Sequence, residues 1–314
     1  MTKKDFFRAF SYGLGRVGIG ICDLGALIMP LPLLYSFANS LGYLGFRFAR
    51  KHREIAIESL TKAFGKEKSN REVEIIAREC FNAMAGTAVE FFMFMRYPER
   101  IRNFVEIQGL EHLNAALAKG KGVVAISAHF GSFPLLLSRL ALQGYKVHTI
   151  LRHMRDTKLD KLFEEKRDRM HVGSIYTQPR AECVNKSLKA LRDNEVVFVQ
   201  LDQNFGTGGV FVDFFGTKAA TATGPIVFSM RTGAVLVPMF IYRVKGARHK
   251  IVIEPGIEVS ESGPKEERML DTITKLTVLI EAYIRKYPHE WGWIHKRWKA
   301  RPKEEIKTEV NNEA

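Results

Sequence analysis

His129 is the residue whose type and position most strongly suggest chemistry. It directly follows the short apolar run Val123–Ala128, which is typical of a buried strand. Gly131 and Ser132 then allow a tight turn, and Phe133–Gln143 has the pattern of a helix. A histidine between such a strand and helix would lie at the carboxyl edge of a sheet, where open α/β folds bind their ligands. The pattern also allows a histidine that only caps the helix or satisfies a neighbour.

Asp202 has a similar position, because it follows the apolar run Glu195–Leu201 and precedes Gln203. If the two predicted strands are neighbours, Asp202 reaches the same edge of the sheet as His129. An equally good interpretation is that Asp202 only ties down the glycine-rich loop that follows it. The sequence therefore offers Asp202 as a candidate partner of His129 and leaves this alternative open.

Aromatic side chains follow the glycine-rich loop, in a segment with the character of a hairpin. Phe211, Phe214 and Phe215 belong to this segment. They could form a wall that binds an apolar chain. Ordinary core packing is an equally good interpretation for each of them.

The chain carries a large excess of positive charge. Its formal net charge is +14 and its pI is near 9.7, which favours an anionic partner. Arg152, Arg167 and Arg169 lie in or near a charge-dense helical pattern and could bind phosphate or carboxylate groups, since a guanidinium pairs with such anions through two hydrogen bonds. A solvated helix face is the simpler interpretation. The aromatic residues are not interleaved with the basic ones, which argues against nucleic-acid binding.

Strand-like runs alternate with helical patterns from residue 104 onward. The strand-like runs are Phe104–Gln108, Val123–Ala128, Lys146–Leu151, Ser174–Thr177, Glu195–Leu201, Val235–Tyr242 and Lys250–Glu254. The helical patterns between them are Glu111–Lys119, Phe133–Gln143, Asp156–Met170, Ala181–Asp193 and Gly224–Thr232. This alternation predicts an α/β fold with a mostly parallel, mixed central sheet covered by helices. The three cysteines are scattered and have no metal-binding or redox spacing.

Residues 1–48 are predicted to form a helical, membrane-associating segment. Their apolar stretch, Val17–Phe48, follows a basic N-terminus and is interrupted by Pro30 and Pro32. The pattern allows either a helix that spans a membrane or a segment that lies at its surface. Residues 49–302 are predicted to form the main domain, and the polar residues 303–314 a disordered tail.

Several motifs together resemble a known family. They are Ala128-His-Phe-Gly131, Leu201-Asp-Gln203, Gly209-Val-Phe-Val212 with Phe214-Phe-Gly216, Thr221–Pro225, Arg231–Pro238 and Trp293–Pro302. In order and spacing, from about residue 45 to 302, the sequence is similar to the bacterial lipid A lauroyl and myristoyl acyltransferases, within the wider group of lysophospholipid acyltransferase-like proteins. The apolar N-terminus also fits this family, because its members carry a membrane anchor there.

The resemblance implies transfer of a fatty acyl chain from an acyl carrier protein, or from coenzyme A, to a hydroxyl of a lipid A precursor or related glycolipid. It makes His129 the general base. The residues that we predict to bind substrate are Arg152, Arg167, Arg169, Gln203, Phe211 and Phe214. The resemblance also implies partners in the form of an anionic acceptor and the lipids of the inner membrane at its cytoplasmic face. It implies no cofactor, no metal and no nucleic acid.

The sequence departs from the family pattern at one position. That pattern places an acid five residues after the histidine, where this chain has Pro134. Either another carboxylate orients His129, with Asp202 the best candidate, or the reaction is slower or different. Acylation of a lysophospholipid or another lipid, and a catalytically inactive lipid-binding relative, are the alternatives that the sequence leaves open.

Overall fold

The structure is a computed structural model that describes residues 3–302, without the side chains of residues 3–11, 14 and 207. The tail predicted at 303–314 lies outside the described residues. The helices are α1 (Lys3–Ile28), α2 (Leu31–Phe48), α3 (Arg50–Phe64), α4 (Asn70–Arg96), α5 (Ile101–Phe104), α6 (Leu110–Leu117), α7 (Phe133–Ala141), α8 (Thr157–Arg169), α9 (Arg180–Arg192), α10 (Gly224–Thr232) and α11 (Lys265–Lys286).

The strands are β1 (Val105–Gln108), β2 (Val123–Ser127), β3 (Val147–Leu151), β4 (Val172–Tyr176), β5 (Val196–Gln200), β6 (Val210–Phe214), β7 (Thr217–Thr221), β8 (Val235–Lys245) and β9 (Arg248–Ile253). Seven of them form one sheet in the order β1-β9-β8-β2-β5-β3-β4. Every neighbouring pair in it is parallel except β8 and β9, which pair antiparallel. The prediction of a mostly parallel, mixed sheet is therefore confirmed.

The apolar core lies on both faces of this sheet. One cluster packs α3, α4, α9, α10 and α11 against it, and the other packs α2, α4, α6 and α7. The strands β2 and β5 lie at the centre, and the side chains of β2 are buried along its whole length. Covering both faces explains why the central strands β2 and β5 appear in the sequence as nearly continuous apolar runs.

The hairpin-like segment after the glycine-rich loop forms β6 and β7, which pair antiparallel as a separate two-stranded sheet. Phe104, which the apolar pattern placed in a strand, closes the short helix α5 instead. The predicted strand at 174–177 begins two residues earlier, at Val172. Boundaries of this kind depend on hydrogen bonds to neighbouring strands, which local composition does not specify.

The N-terminal segment forms two helices, α1 and α2, that are separated at Pro30. Helix α2 packs along α4, and its small residues Ala38 and Gly42 allow the close approach. Within residues 3–302, no helix is long and apolar enough to cross a membrane. The association of this segment with a membrane stays a prediction.

Candidate active site

His129 lies two residues beyond the end of β2, in a turn that two backbone hydrogen bonds tie to the segment around residue 291. The amide of Gly292 donates a hydrogen bond to the carbonyl oxygen of His129 over 3.0 Å, and the amide of Gly131 donates to the carbonyl oxygen of Glu290 over 2.8 Å. Gly131 has φ +56°, and a Cβ there would lie 1.9 Å from the carbonyl oxygen of Ile241. Only glycine fits this turn, which fixes His129 at the edge of the sheet.

Asp202 lies beside His129 because of the register of the central strands. Strands β2 and β5 are parallel neighbours in which Ser127 pairs with Gln200, so two further residues bring His129 opposite Asp202. The Nδ1 atom of His129 lies 2.9 Å from Oδ1 of Asp202, and the amide of His129 donates to Oδ2 over 2.8 Å. The indole Nε1 of Trp291 donates to the same Oδ2 over 2.6 Å. The structure thus brings together the two residues that the sequence suggested as partners.

These contacts keep Asp202 ionised. Burial opposes the charged form, but the neighbouring His129 imidazole and the N–H groups of His129 and Trp291 outweigh it and lower the pKa of Asp202 to about 2. A carboxylate has no proton to donate, so Nδ1 of His129 must carry the proton that the two share. The Nε2 atom of a neutral His129 then has a free lone pair, as a general base requires.

Gln203 and His295 lie next to this lone pair. The side-chain Nε2 of Gln203 is 3.0 Å from Nε2 of His129 and 3.4 Å from Nε2 of His295. The two imidazole rings meet edge to face with their centroids 5.1 Å apart. Burial is the main cause that lowers the pKa of His295, and the nearby His129 lowers it further. His295 is therefore neutral at physiological pH and can accept a hydrogen bond.

A cavity of about 780 Å³ opens from His129 into the protein. Its wall is mostly apolar and comes from α4, α7, α8 and the ends of the central strands. The apolar residues that line it include Met84, Ala88, Phe91, Phe92, Leu137, Ile150, Phe163 and Met170. An apolar cavity that ends at an imidazole is suited to holding an alkyl chain with its polar end at His129.

The chain matches the bacterial lipid A biosynthesis acyltransferase family over residues 1–300. It belongs to this family. The resemblance inferred from the motifs is thereby confirmed, and the chain is an acyltransferase. The lipid A biosynthesis lauroyltransferase of Escherichia coli is 27% identical to it over 296 residues, which cover 93% of each protein.

A more distant relative is the phosphatidylinositol mannoside acyltransferase of Mycobacterium tuberculosis. It is 24% identical over 201 residues, covering 62% of this chain and 60% of that protein. Among solved structures, the 1-acyl-sn-glycerophosphate acyltransferase of Thermotoga maritima gives a TM-score of 0.38 at 13% identity, covering 79% of this chain and 96% of that one. A likeness of that size says nothing about the activity of this acyltransferase.

Pro134 occupies the position of the family's motif acid, in the first turn of α7. Its side chain lines the cavity, and its carbonyl oxygen accepts a hydrogen bond from Oγ of Ser138 over 2.7 Å. A proline ring has no group that could hold an imidazole. In this acyltransferase the carboxylate beside the histidine comes from the strand β5 side instead, as Asp202.

The predicted substrate-binding arginines differ in their positions. Arg152 and Arg167 both line the cavity. Arg167 is also held in place, because its Nε donates to Oγ of Ser174 over 2.8 Å and its Nη2 donates to the hydroxyl of Tyr176 over 3.3 Å. Arg169 is exposed at the end of α8 and is not among the residues that line the cavity. The structure thus brings two of the three arginines to the site.

The predicted aromatic wall is not at the cavity. Phe214 is buried in the core, where its ring contacts those of Phe215, Trp291 and Trp298. Phe211 is half-buried on β6 and does not line the cavity either. The apolar wall comes instead mainly from α4, which contributes Met84, Ala88, Phe91 and Phe92.

Sequence reasoning did not single out Trp291 and His295 as site residues. Both belong to the aromatic and basic segment at 291–299, of which the family resemblance used only the part from Trp293 onward. The signal that could have found them is the clustering of Trp and His residues in one short segment. When such residues are buried, their ring nitrogens need hydrogen-bond partners. Among residues 3–302, no group of three or more His, Cys, Asp or Glu side chains is arranged to bind a metal ion.

Proposed function

We propose that this acyltransferase moves a fatty acyl chain from an acyl carrier protein thioester to a hydroxyl of a lipid A precursor or related anionic glycolipid. The observation that carries the proposal is an imidazole hydrogen-bonded to a buried carboxylate beside an apolar cavity: Nδ1 of His129 is 2.9 Å from Oδ1 of Asp202, and His129 lines the cavity. The names of the similar proteins from Escherichia coli and Mycobacterium tuberculosis support an acyl transfer to a glycolipid.

In the proposed reaction, Nε2 of His129 takes the proton of the acceptor hydroxyl as its oxygen attacks the thioester carbonyl carbon. The carboxylate of Asp202 stabilises the imidazolium that forms, because both of its oxygens already accept N–H groups in the resting site. The tetrahedral intermediate then collapses and expels the thiolate, which takes the proton from His129. The reaction needs no covalent enzyme intermediate.

The cavity supports the choice of an acyl donor. Ala88, Phe91 and Leu137 give it an apolar wall, and Phe163 of α8 stacks on Phe91 with ring centroids 5.3 Å apart. A long alkyl chain gains about 0.8 kcal/mol for each methylene that it buries in such an environment. The thioester at the head of the chain would then lie beside His129.

Arginines near the cavity support an anionic acceptor and an acidic donor protein. Arg152 and Arg167 line the cavity, and the whole chain has a net charge of +14. Phosphate groups on a glycolipid pair well with guanidinium groups. A positive surface also raises the rate at which an acidic carrier protein encounters the site.

We also propose that the acyltransferase works at the cytoplasmic face of the inner membrane, with α1 and α2 at the lipid surface. Val17, Ile21, Leu24 and Ile28 recur at helical spacing on α1, and each is more than half exposed. The exposed Phe48 ends α2 beside basic residues, which are Arg47, Arg50 and Lys51. An apolar face next to basic side chains is typical of helices that lie on anionic lipid.

The experiment that tests the function uses the full chain with radiolabelled acyl carrier protein thioesters and a panel of lipid acceptors. We expect label to appear in the glycolipid, His129→Ala to abolish transfer, and the control His112→Ala on α6 to transfer normally. If label enters only a lysophospholipid, the acceptor is that lipid and the proposed glycolipid acceptor is wrong. Binding of lipid with no transfer by the unchanged chain would establish a non-catalytic relative, and full transfer by His129→Ala would refute the base.

A further inference from the structure

The Gln203 side chain occupies the place where the acceptor hydroxyl must bind. A hydroxyl can lose its proton to His129 only from within about 2.6–3.2 Å of Nε2. The amide nitrogen of Gln203 already lies 3.0 Å from this atom. In the resting site, an N–H of Gln203 therefore caps the lone pair of the base, and the entering hydroxyl has to displace it.

His295 gives the displaced amide a pivot. The Gln203 nitrogen carries two protons, and its distances of 3.0 and 3.4 Å direct one to His129 and the other to His295. His295 can accept because burial and the nearby His129 lower its pKa and keep it neutral. When the first contact breaks, the second keeps the amide beside the imidazole of His129, because the two histidine rings are only 5.1 Å apart.

Arg297 fixes the other end of the Gln203 residue. This buried guanidinium donates from Nη1 to the carbonyl oxygens of Gln203, over 3.1 Å, and of Ala220, and from Nη2 to Oγ1 of Thr221 over 2.5 Å. Burial lowers the pKa of Arg297 to about 10, so it stays charged at neutral pH. The backbone of Gln203 is therefore anchored while its exposed side chain remains free to turn about its own torsions.

We propose that Gln203 is a switchable hydrogen-bond donor that caps His129 at rest and stabilises the oxyanion during acyl transfer, with His295 as its positioning residue. This proposal rests on the proposed function. As the hydroxyl oxygen bonds to the thioester carbon and its proton passes to Nε2, the carbonyl electron pair moves onto the carbonyl oxygen. The N–H freed from His129 donates to this oxyanion. On collapse, the thiolate leaves with the proton of His129, and the amide returns to Nε2.

Two substitutions at Gln203 test the donor. Gln203→Leu keeps the size but removes the N–H, and we expect kcat to fall about 10²–10³-fold, as when one oxyanion donor is removed elsewhere, with KM nearly unchanged. Gln203→Glu should lose as much rate and also shift the acid limb of kcat/KM to higher pH, because a carboxylate beside His129 favours the imidazolium. Gln108→Leu, at the exposed end of β1, is the control.

His295 is tested by rescue. His295→Phe removes the acceptor and should lower kcat about tenfold, whereas His295→Gln places an amide oxygen near the former Nε2 and should restore most of the loss. A residue with a purely structural role would not distinguish an acceptor from its absence in this way. Thermal unfolding of each variant, compared with the unchanged chain, reports any loss of fold.

The resting cap has a readout that needs no substrate. Diethyl pyrocarbonate modifies the free lone pair of imidazole, so Gln203→Leu should react several-fold faster at His129, as measured by peptide mass spectrometry. An equal rate of modification would overturn the cap. A Gln203→Leu kcat within threefold of the unchanged chain, or a loss confined to KM, would overturn the oxyanion role. If the unchanged chain transfers no acyl group while the modification rates differ, the proposed function fails and the cap stands.

Discussion

Replacing Asp202 with asparagine tests the pairing on which the mechanism depends. The Oδ2 position of residue 202 receives two N–H donors, from the backbone of His129 and from Trp291. In Asp202→Asn the amide oxygen must occupy this position, because its NH₂ would otherwise face two donors. The NH₂ then points at Nδ1 of His129, which forces the proton of a neutral imidazole onto Nε2. The substitution converts the base into the wrong tautomer without removing a side chain.

The size of the effect follows from this tautomer. In serine hydrolases the same change of the orienting aspartate lowers kcat about 10⁴-fold, which corresponds to about 5 kcal/mol of transition-state stabilisation. We expect a loss of this order in kcat with little change in KM, because substrate contacts in the cavity are untouched. The assay is acyl transfer from radiolabelled carrier-protein thioester, with Asp271→Asn on the exposed face of α11 as the control.

Non-additivity provides an independent check. If Asp202 acts only through His129, the double variant with His129→Ala should be little slower than His129→Ala alone. A double variant slower by the product of the two single losses would mean that Asp202 acts on the reaction by another route. Asp202→Asn activity within about tenfold of the unchanged chain would refute the tautomer argument directly.

Three further predictions concern stability, the cavity and the membrane. The pKa of Asp202 is about 2 in the folded protein against an ordinary 3.8. Its ionisation therefore adds about 2 kcal/mol to the free energy of unfolding above pH 4, and this contribution is lost as the pH falls through 2. In acid unfolding, Asp202→Asn should lack this contribution and Asp271→Asn should retain it. Ala88→Trp should fill the cavity and lower kcat/KM about tenfold or more for long acyl chains, and an unchanged preference for chain length would refute the assignment. Ile21→Glu with Leu24→Glu should move the chain from anionic vesicles into the soluble fraction in flotation assays, and undiminished flotation would exclude this face.

The sequence was sufficient for the parts of the fold that depend on local pattern. Strand β2, the turn at Gly131 and helix α7 follow from an apolar run, two turn-forming residues and a helical period. The neighbouring position of β5 does not, because β3 and β4 intervene in the chain and strand order is fixed by contacts that cross the whole sheet. The contact of Asp202 with His129 could therefore be stated only on the condition that the two strands are neighbours.

A single sequence also does not show whether an aromatic side chain packs in the core or lines the cavity. Phe214 packs in the core and Phe91 lines the cavity, although both lie in segments that are rich in phenylalanine. A core and an acyl-chain cavity are chemically alike, so composition does not separate them. Trp291 and His295 were missed for a different reason, since they reach the site from about 160 residues further along the chain.

The arrangement of the site explains how the chain can carry Pro134 in place of the motif acid. Asp202 is fixed by β5, by the backbone of His129 and by Trp291, so the orientation of the imidazole does not depend on the first turn of α7. That turn instead contributes Phe133 and Pro134 to the cavity wall. A carboxylate at position 134 would add charge to an apolar surface without a partner, which is costly unless His129 turned toward it. With Nδ1 already held by Asp202, proline at this position leaves the orientation of the imidazole unchanged and the wall apolar.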